Sequence, residues 1–299
     1  MGIFVAVPVF DGVDFVAETL ESIQAQTYKD FAVLISVDGN DQRSAQECKP
    51  FLSDARFRMS VQPHRLGWAA NLNWLMGQCS EDFYCYWQQD DTCEPSYLAV
   101  LKKTLTQHPE AVCAFSDLRW FGTRADLVST PSSTGRALDR VLDQIEHGHY
   151  VPFRGLIRRQ SLHAAGPIRL TPNNSALQDQ VWLAKLVGLG PWQRAEGTLY
   201  FKRGHENETH RKWEASEHDA ARRNTWLEWG LGMLEAALRV ATAEEREAIV
   251  NLLVRRLTQA TQSRWLFYDP GINGSDELKI FCDEFRQKAR GLTSPSVPR

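Results

Sequence analysis

The sequence predicts an α/β protein, a mostly parallel sheet flanked by helices, with a helical C-terminal extension. Three observations predict it. Short β-type apolar runs alternate with amphipathic helical stretches over the first hundred-odd residues. Polar, acid-bearing turns follow several of those runs. After about Trp213 only long helical patterns remain.

The first run is Ile3 to Val7, and Val13, Val16, Leu20 and Ile23 then recur at helical spacing up to Ala25. Phe31 to Val37 reads as a second buried strand, which makes a strand, helix, strand unit. Phe57 to Val61 and Phe83 to Trp87 read as two more strands, with a helix from Trp68 to Met76 between them. Pro95 is expected at the first position of the next helix, and Ala111 to Ser116 reads as a fifth strand. Gly122 to Ala137 is rich in Ser, Thr and Gly and reads as a loop near the acceptor side. Val181 to Leu186 continues a helix whose first turn carries Asp179, and Thr198 to Lys202 is the last strand-like run. Helical patterns then cover Ser216 to Ala241, Thr242 to Arg264 and Ser275 to Arg290, with a capping-box pair at Thr242 and Glu245. Gly291 to Arg299 reads as a loose tail. The expected division is 1–213 for the α/β domain and 214–299 for the helical region.

A chain of 299 residues that is 43% hydrophobic can bury a sizeable core. The net charge of −3 lacks the basic footprint of a nucleic-acid-binding surface, which leaves small anionic ligands. No apolar run of about 18 residues is present, and no basic leader precedes Ile3, so a cytoplasmic protein is expected. The six cysteines show no metal-ligand spacing and read as reduced, structural thiols.

Ligands of an open α/β sheet bind beyond the C-terminal ends of its strands. Here those ends carry Pro8-Val9-Phe10-Asp11-Gly12, Asp38-Gly39-Asn40-Asp41 and Gln88-Gln89-Asp90-Asp91. No GxGxxG follows the first strand, and no GxxxxGK[ST] occurs anywhere. A diphosphate bound there would need a metal to neutralise it, and adjacent carboxylates suit Mg²⁺ or Mn²⁺.

Several stretches together resemble family 2 of the inverting glycosyltransferases, which have the GT-A (Rossmann-like) fold. They are Val7-Pro8-Val9-Phe10-Asp11-Gly12, Leu20 to Tyr28 with its Ser22-Ile23 and Gln26-Thr27-Tyr28, Val37-Asp38-Gly39, Arg65 to Asn73, Gln89-Asp90-Asp91 with Pro95, and Ser116-Asp117. Phe153-Arg154-Gly155, Gln178-Asp179 and Arg203-Gly204-His205 match later landmarks, so the resemblance covers about residues 1 to 210. It implies a nucleoside-diphosphate sugar donor, a divalent metal, and transfer with inversion to a glycan, lipid-linked or small-molecule acceptor.

The resemblance gives Asp38 a contact to the nucleobase and Asp179 the part of catalytic base. Asp90 and Asp91 fall at the metal-binding DxD, where Gln88 replaces the first aspartate. His205 becomes a third metal ligand or a diphosphate contact. The donor site extends over Pro8, Val9, Phe10, Asp11, Arg65, Asn73, Gln89 and Arg154, with Arg65, Arg154 and Arg203 available to phosphate. Without the resemblance the same acids read as an Asp-Gly turn at Asp38, a helix cap at Asp91 and a helix N-terminal acid at Asp179. Two rivals are a sugar nucleotidyltransferase, whose glycine-rich loop with a lysine is missing after the first strand, and a sugar-nucleotide-binding relative without turnover. The C-terminal helices can shape the acceptor site, form a homodimer or touch the inner face of a membrane.

Overall fold

The structure, a computed structural model, describes residues 2–172, 174–206, 219–260, 272 and 274–293. It divides into two compact units. The first comprises Met1–Ser133, Tyr150–Ile168 and Leu189–Glu206, and the second Thr134–His149, Arg169–Gly188 and Asn207–Arg299.

The first unit holds a nine-stranded sheet ordered β3-β2-β1-β4-β8-β6-β9-β5, with β7 beside β6. Strands β1 (Ile3–Val9), β2 (Phe31–Val37), β3 (Phe57–Val61) and β4 (Phe83–Tyr86) pair in parallel as expected. The short strands β5 (Thr92–Cys93), β7 (Leu127–Val128) and β8 (Leu156–Arg158) run antiparallel to their neighbours. The longer β6 (Cys113–Gly122) and β9 (Trp192–Gly204) pair in parallel with each other. The core strands read as near-continuous apolar runs because both faces are covered: Val5, Val7, Ile35, Val37 and Cys85 have 1% exposure or less.

Helices α1 (Val16–Gln24), α2 (Gln42–Cys48), α3 (Trp68–Gly77), α4 (Tyr97–Gln107) and α6 (Arg159–Ala165) connect these strands. Pro95 does not open α4, as expected from sequence, but stands one residue before its N-cap Ser96. Its carbonyl accepts from the amide and hydroxyl of Thr27, which ties it to the turn after α1 instead.

The register of β6 against β9 shifts on either side of Asp117, where its partner jumps from the level of Ala195 to Thr198 and then Tyr200. Gly197 has φ of +98°, which favours glycine at this bulge. The far half of β9 thereby pairs with β5 as well as β6.

The second unit is helical: α5 (Ala137–His147), α7 (Gln178–Leu189), α8 (Asp219–Leu238), α9 (Arg246–Ala260) and α10 (Ser275–Thr293). It therefore draws helices from inside 1–213 as well as from the C-terminal region. Glycines let α8 pack closely: a Cβ on Gly232 would lie 2.7 Å from Val181, and one on Gly230 3.0 Å from Phe285. Trp226 and Trp229, both at 0% exposure, meet edge to face nearby. Residues 216–218, 261–264 and 294–299 of the expected helices and tail lie outside the described residues. Among the described residues no helix is long and apolar enough to cross a membrane.

Candidate functional site

In the first unit, the ends of β1, β2 and β4 bring most of the acids singled out in the sequence to one edge of the sheet. A cleft of about 490 Å³ there is lined by Phe10, Asp11, Asp38, Gly39, Asn40, Asp41 and Arg65. The Arg65 guanidinium lies over the Phe10 ring, 3.5 Å from its centroid. Gln89 fixes Phe10 from the other side: its Oε1 accepts from the Phe10 amide at 2.7 Å, and its Nε2 donates to the Phe10 carbonyl at 2.8 Å. Pro8 and the buried Val9 form the end of β1 that delivers Phe10 to this edge.

Asp38 is 2% exposed, and both of its oxygens are engaged by the loop before α3. Oδ1 accepts from the Leu66 amide at 2.6 Å and Oδ2 from the Gly67 amide at 2.9 Å. In this structure its carboxylate therefore meets backbone amides, and it braces the loop that carries Arg65. Asp41 does similar work: it caps α2 through the Ser44 amide and accepts from the Asp11 amide at 2.8 Å. Sequence reasoning notes Asp41 at the strand end but gives it no role, although the Asp41-x-x-Ser44 spacing is an N-cap signal.

Asp90 and Asp91 are adjacent, yet their environments differ. Asp91 is fully buried, with Oδ2 accepting from the Tyr200 hydroxyl at 2.7 Å and Oδ1 from the Arg203 amide at 2.9 Å. Arg154 Nε stands 3.7 Å from it. Burial pushes the Asp91 carboxyl above its ordinary pKa, opposed by the positive charge of Lys202. Its side chain, expected at the metal, is here engaged in holding β9 to the end of β4. Asp90 is 6% exposed; its Oδ2 lies 2.9 Å from His205 Nε2, and its Oδ1 is buried without a hydrogen-bond partner among the described residues. The far half of β9 supplies both Tyr200 and the approach to His205, so the bulge at Gly197 helps to assemble this corner.

An orphaned, buried carboxylate oxygen beside an imidazole is a donor set that fits a divalent cation. Asp90 and His205 would hold such an ion.

The arginines are placed as follows. Arg154, 8% exposed, donates to the Gln88 side chain at 3.1 Å and to the Tyr150 carbonyl at 3.4 Å. Arg203 donates to the Asp90 carbonyl at 3.1 Å, pairs with Glu18, and lies between Phe15 and Phe121. Asn73, expected at the donor, is engaged by the chain itself. Its carboxamide brackets the backbone of Ile168, donating to the carbonyl and accepting from the amide, both at 2.8 Å. Asp117 is joined to Arg194 by two bonds of 2.7 Å and to the Ser129 hydroxyl. The Arg194 hydrogen bonds hold its carboxyl below the ordinary range.

Asp179 belongs to the second unit, half-buried in the first turn of α7. Asn174, Ser175 and Leu177, just before it, have φ of +50°, +54° and +62°, a run that L residues rarely adopt. Gln178, 1% exposed, has neither side-chain polar atom hydrogen-bonded among the described residues. All six cysteines are buried and free, and burial pushes the Cys79 thiol up to about 11.

An acid-lined edge of a mostly parallel sheet, with a buried carboxylate facing an imidazole, defines the chain as a GT-A-fold protein. The model of "Glycosyl transferase family 2" matches residues 4–166, and the chain belongs to that family. It is similar to "Glycosyltransferase GlyA" of Streptococcus pneumoniae, 26% identical over 106 residues, which is 36% of this chain and 15% of that protein. It thus aligns with only a small part of the length of that relative. Among solved structures, S. aureus TarS in complex with UDP has a TM-score of 0.66 at 14% identity, covering 88% of this chain and 72% of that one. TarS in complex with UDP-GlcNAc gives 0.65 at 12%, covering 96% and 92%. The mannosyltransferase PcManGT from Pyrobaculum calidifontis, in complex with GDP-Man and Mn²⁺, gives 0.54 at 12%, covering 97% and 82%. At these identities the likeness shows the fold.

Proposed function

We propose that this chain transfers a sugar from a nucleoside-diphosphate donor to an acceptor hydroxyl, with inversion and with a divalent ion, in polysaccharide or glycan assembly. The observation that carries the reading is the buried Asp90 carboxylate, with one oxygen on His205 and the other without a hydrogen-bond partner among the described residues. The donors in complex with the fold relatives, UDP-GlcNAc and GDP-Man, support the ligand class, and Mn²⁺ in one of them supports the ion. Asp90 and His205 would hold Mn²⁺ or Mg²⁺, which would supply positive charge against the diphosphate of the donor.

The other residues position and protect. Phe10, held by Gln89, and Arg65 form a wall of the cleft for the nucleoside portion, and Asp38 keeps that wall rigid through the loop before α3. Asp91, Tyr200 and Arg203 lock β9 against β4 so that Asp90 and His205 stay opposed. Arg154 with Gln88 keeps positive charge behind the same strand end. Asp179 is the proposed base: its carboxylate takes the proton of the acceptor hydroxyl as that oxygen attacks the anomeric carbon and the nucleoside diphosphate leaves. Residues 1–213 are proposed as the transferase domain and 214–299 as a helical region that serves the acceptor. The acceptor classes are glycan, lipid-linked or small molecule, and the setting is the cytoplasm, including the inner face of the membrane.

A screen of nucleotide sugars by metal-dependent thermal shift and nucleotide release tests this reading. Asp90→Asn should lose the metal-dependent shift. Asp179→Asn should keep it and lose turnover. Equal activity in all three proteins refutes these roles, and donor binding without release in the parent protein identifies a non-catalytic sugar-nucleotide binder.

A further inference from the structure

The second unit carries a cluster to which the transferase reading gives no part. At the carboxyl end of α5, Asp143 and His147 stand four residues apart and so share one face of the helix. Gly148, with φ of +60°, ends the helix in the left-handed conformation and turns the chain so that His149 comes back to the same face. Asp143 is then bracketed by two imidazoles: Oδ1 lies 2.9 Å from His147 Nδ1 and Oδ2 3.1 Å from His149 Nε2. One ligand atom from each residue lies within 4.8 Å of the other two.

We propose that Asp143, His147 and His149 form a metal site in the second unit, for Zn²⁺ or a comparable divalent transition ion. Zn–N and Zn–O bonds of about 2.1 Å call for ligand atoms about 3.4 Å apart; the two short contacts use different oxygens of Asp143, so with one oxygen as ligand the three atoms close in from a spread within 4.8 Å. Two imidazoles and one carboxylate favour Zn²⁺ over Mg²⁺ or Ca²⁺, which prefer all-oxygen shells. The negative end of the α5 dipole favours a cation at this position.

The site has support behind its ligands. Gln144, at 0% exposure, donates to the His149 carbonyl at 3.1 Å and to Gln180 Oε1 at 2.8 Å, which fixes the backbone that presents the third ligand. The nearest cation along the helix, Arg140, is turned to the carbonyls of Gly135 and Val187. His147 is 58% exposed and Asp143 41%, so water can complete the shell from the open side, while His149 is 13% exposed. The bound ion would clip the turn at Gly148 to the last turn of α5.

The test is Zn²⁺ binding to the full chain, stripped with chelator and followed by equilibrium dialysis with metal analysis. One equivalent per chain is expected, retained in the presence of excess Mg²⁺. His147→Ala and the double variant His147→Ala/His149→Ala should weaken it by about tenfold or more, and Asp90→Ala should leave it in place. His147→Ala alters a largely exposed side chain, so it keeps the test valid if the double variant fails to fold. The proposal is overturned if the parent protein holds no Zn²⁺, if both histidine variants hold it equally well, or if Asp90→Ala removes it.

Discussion

The ends of β2 and β4 each present a buried aspartate at the same edge of the sheet, but the two are used in opposite ways. Asp38 has both oxygens filled by the Leu66 and Gly67 amides, so its charge is consumed by the fold. Asp90 keeps one buried oxygen without a hydrogen-bond partner among the described residues, an arrangement that folding alone does not favour. The difference teaches that position after a strand does not assign a carboxylate its work. What the carboxylate already touches does.

The largest effect should come from Asp90→Asn, which keeps the shape and removes the charge. Nucleotide release should fall by about 10²- to 10³-fold with little change in urea stability. A variant as active as the parent breaks the contrast. Asp38→Ala should do the reverse, costing about 2 to 3 kcal/mol in urea unfolding because two amides lose charge-assisted bonds. If it proves stable and inactive, Asp38 belongs with Asp90. Gly39→Ala should cost about 1 to 2 kcal/mol, since φ is +75° and the added Cβ would sit 3.1 Å from the Arg65 amide nitrogen. Unchanged thermal stability in that variant would mean that the loop braced by Asp38 yields easily.

The smallest effect concerns Asp117, a filled carboxylate like Asp38. Its folded pKa is lowered by the Arg194 hydrogen bonds. Its contribution is then fully present above its unfolded value of about 4 and is lost as pH falls through the lowered folded value. Asp117→Asn should flatten the acid limb of the stability profile by on the order of 1 kcal/mol. An acid limb identical to that of the parent would place the acid sensitivity elsewhere.

The parallel half of the sheet was legible because Phe31 to Val37 and its neighbours are unbroken apolar runs bounded by turns. Strands β5, β7 and β8 have two or three residues each, too short for any period to register. Helix α5 does have a readable stripe, Leu138, Val141 and Ile145, all buried, but it follows a Ser- and Gly-rich stretch that draws attention to loop character. The resemblance picked out Asp90 and His205, which the structure brings within 2.9 Å of each other. The fates of Asp91 and Asn73 were not legible, because their partners Tyr200, Arg203 and Ile168 lie about a hundred residues away in sequence. Such pairings are set by the bulge in β9 and the packing of α3, which leave no local trace.

Direct pairing of β1 with β4 stops at Ala6 and Tyr86, and beyond that point the Gln89 carboxamide meets Phe10 as another peptide group would. A side chain thus prolongs the ladder past the place where the two backbones part. Only an amide offers the needed donor and acceptor together, so glutamate, though nearly identical in shape, would leave the Phe10 carbonyl without its donor and let the two strand tips separate.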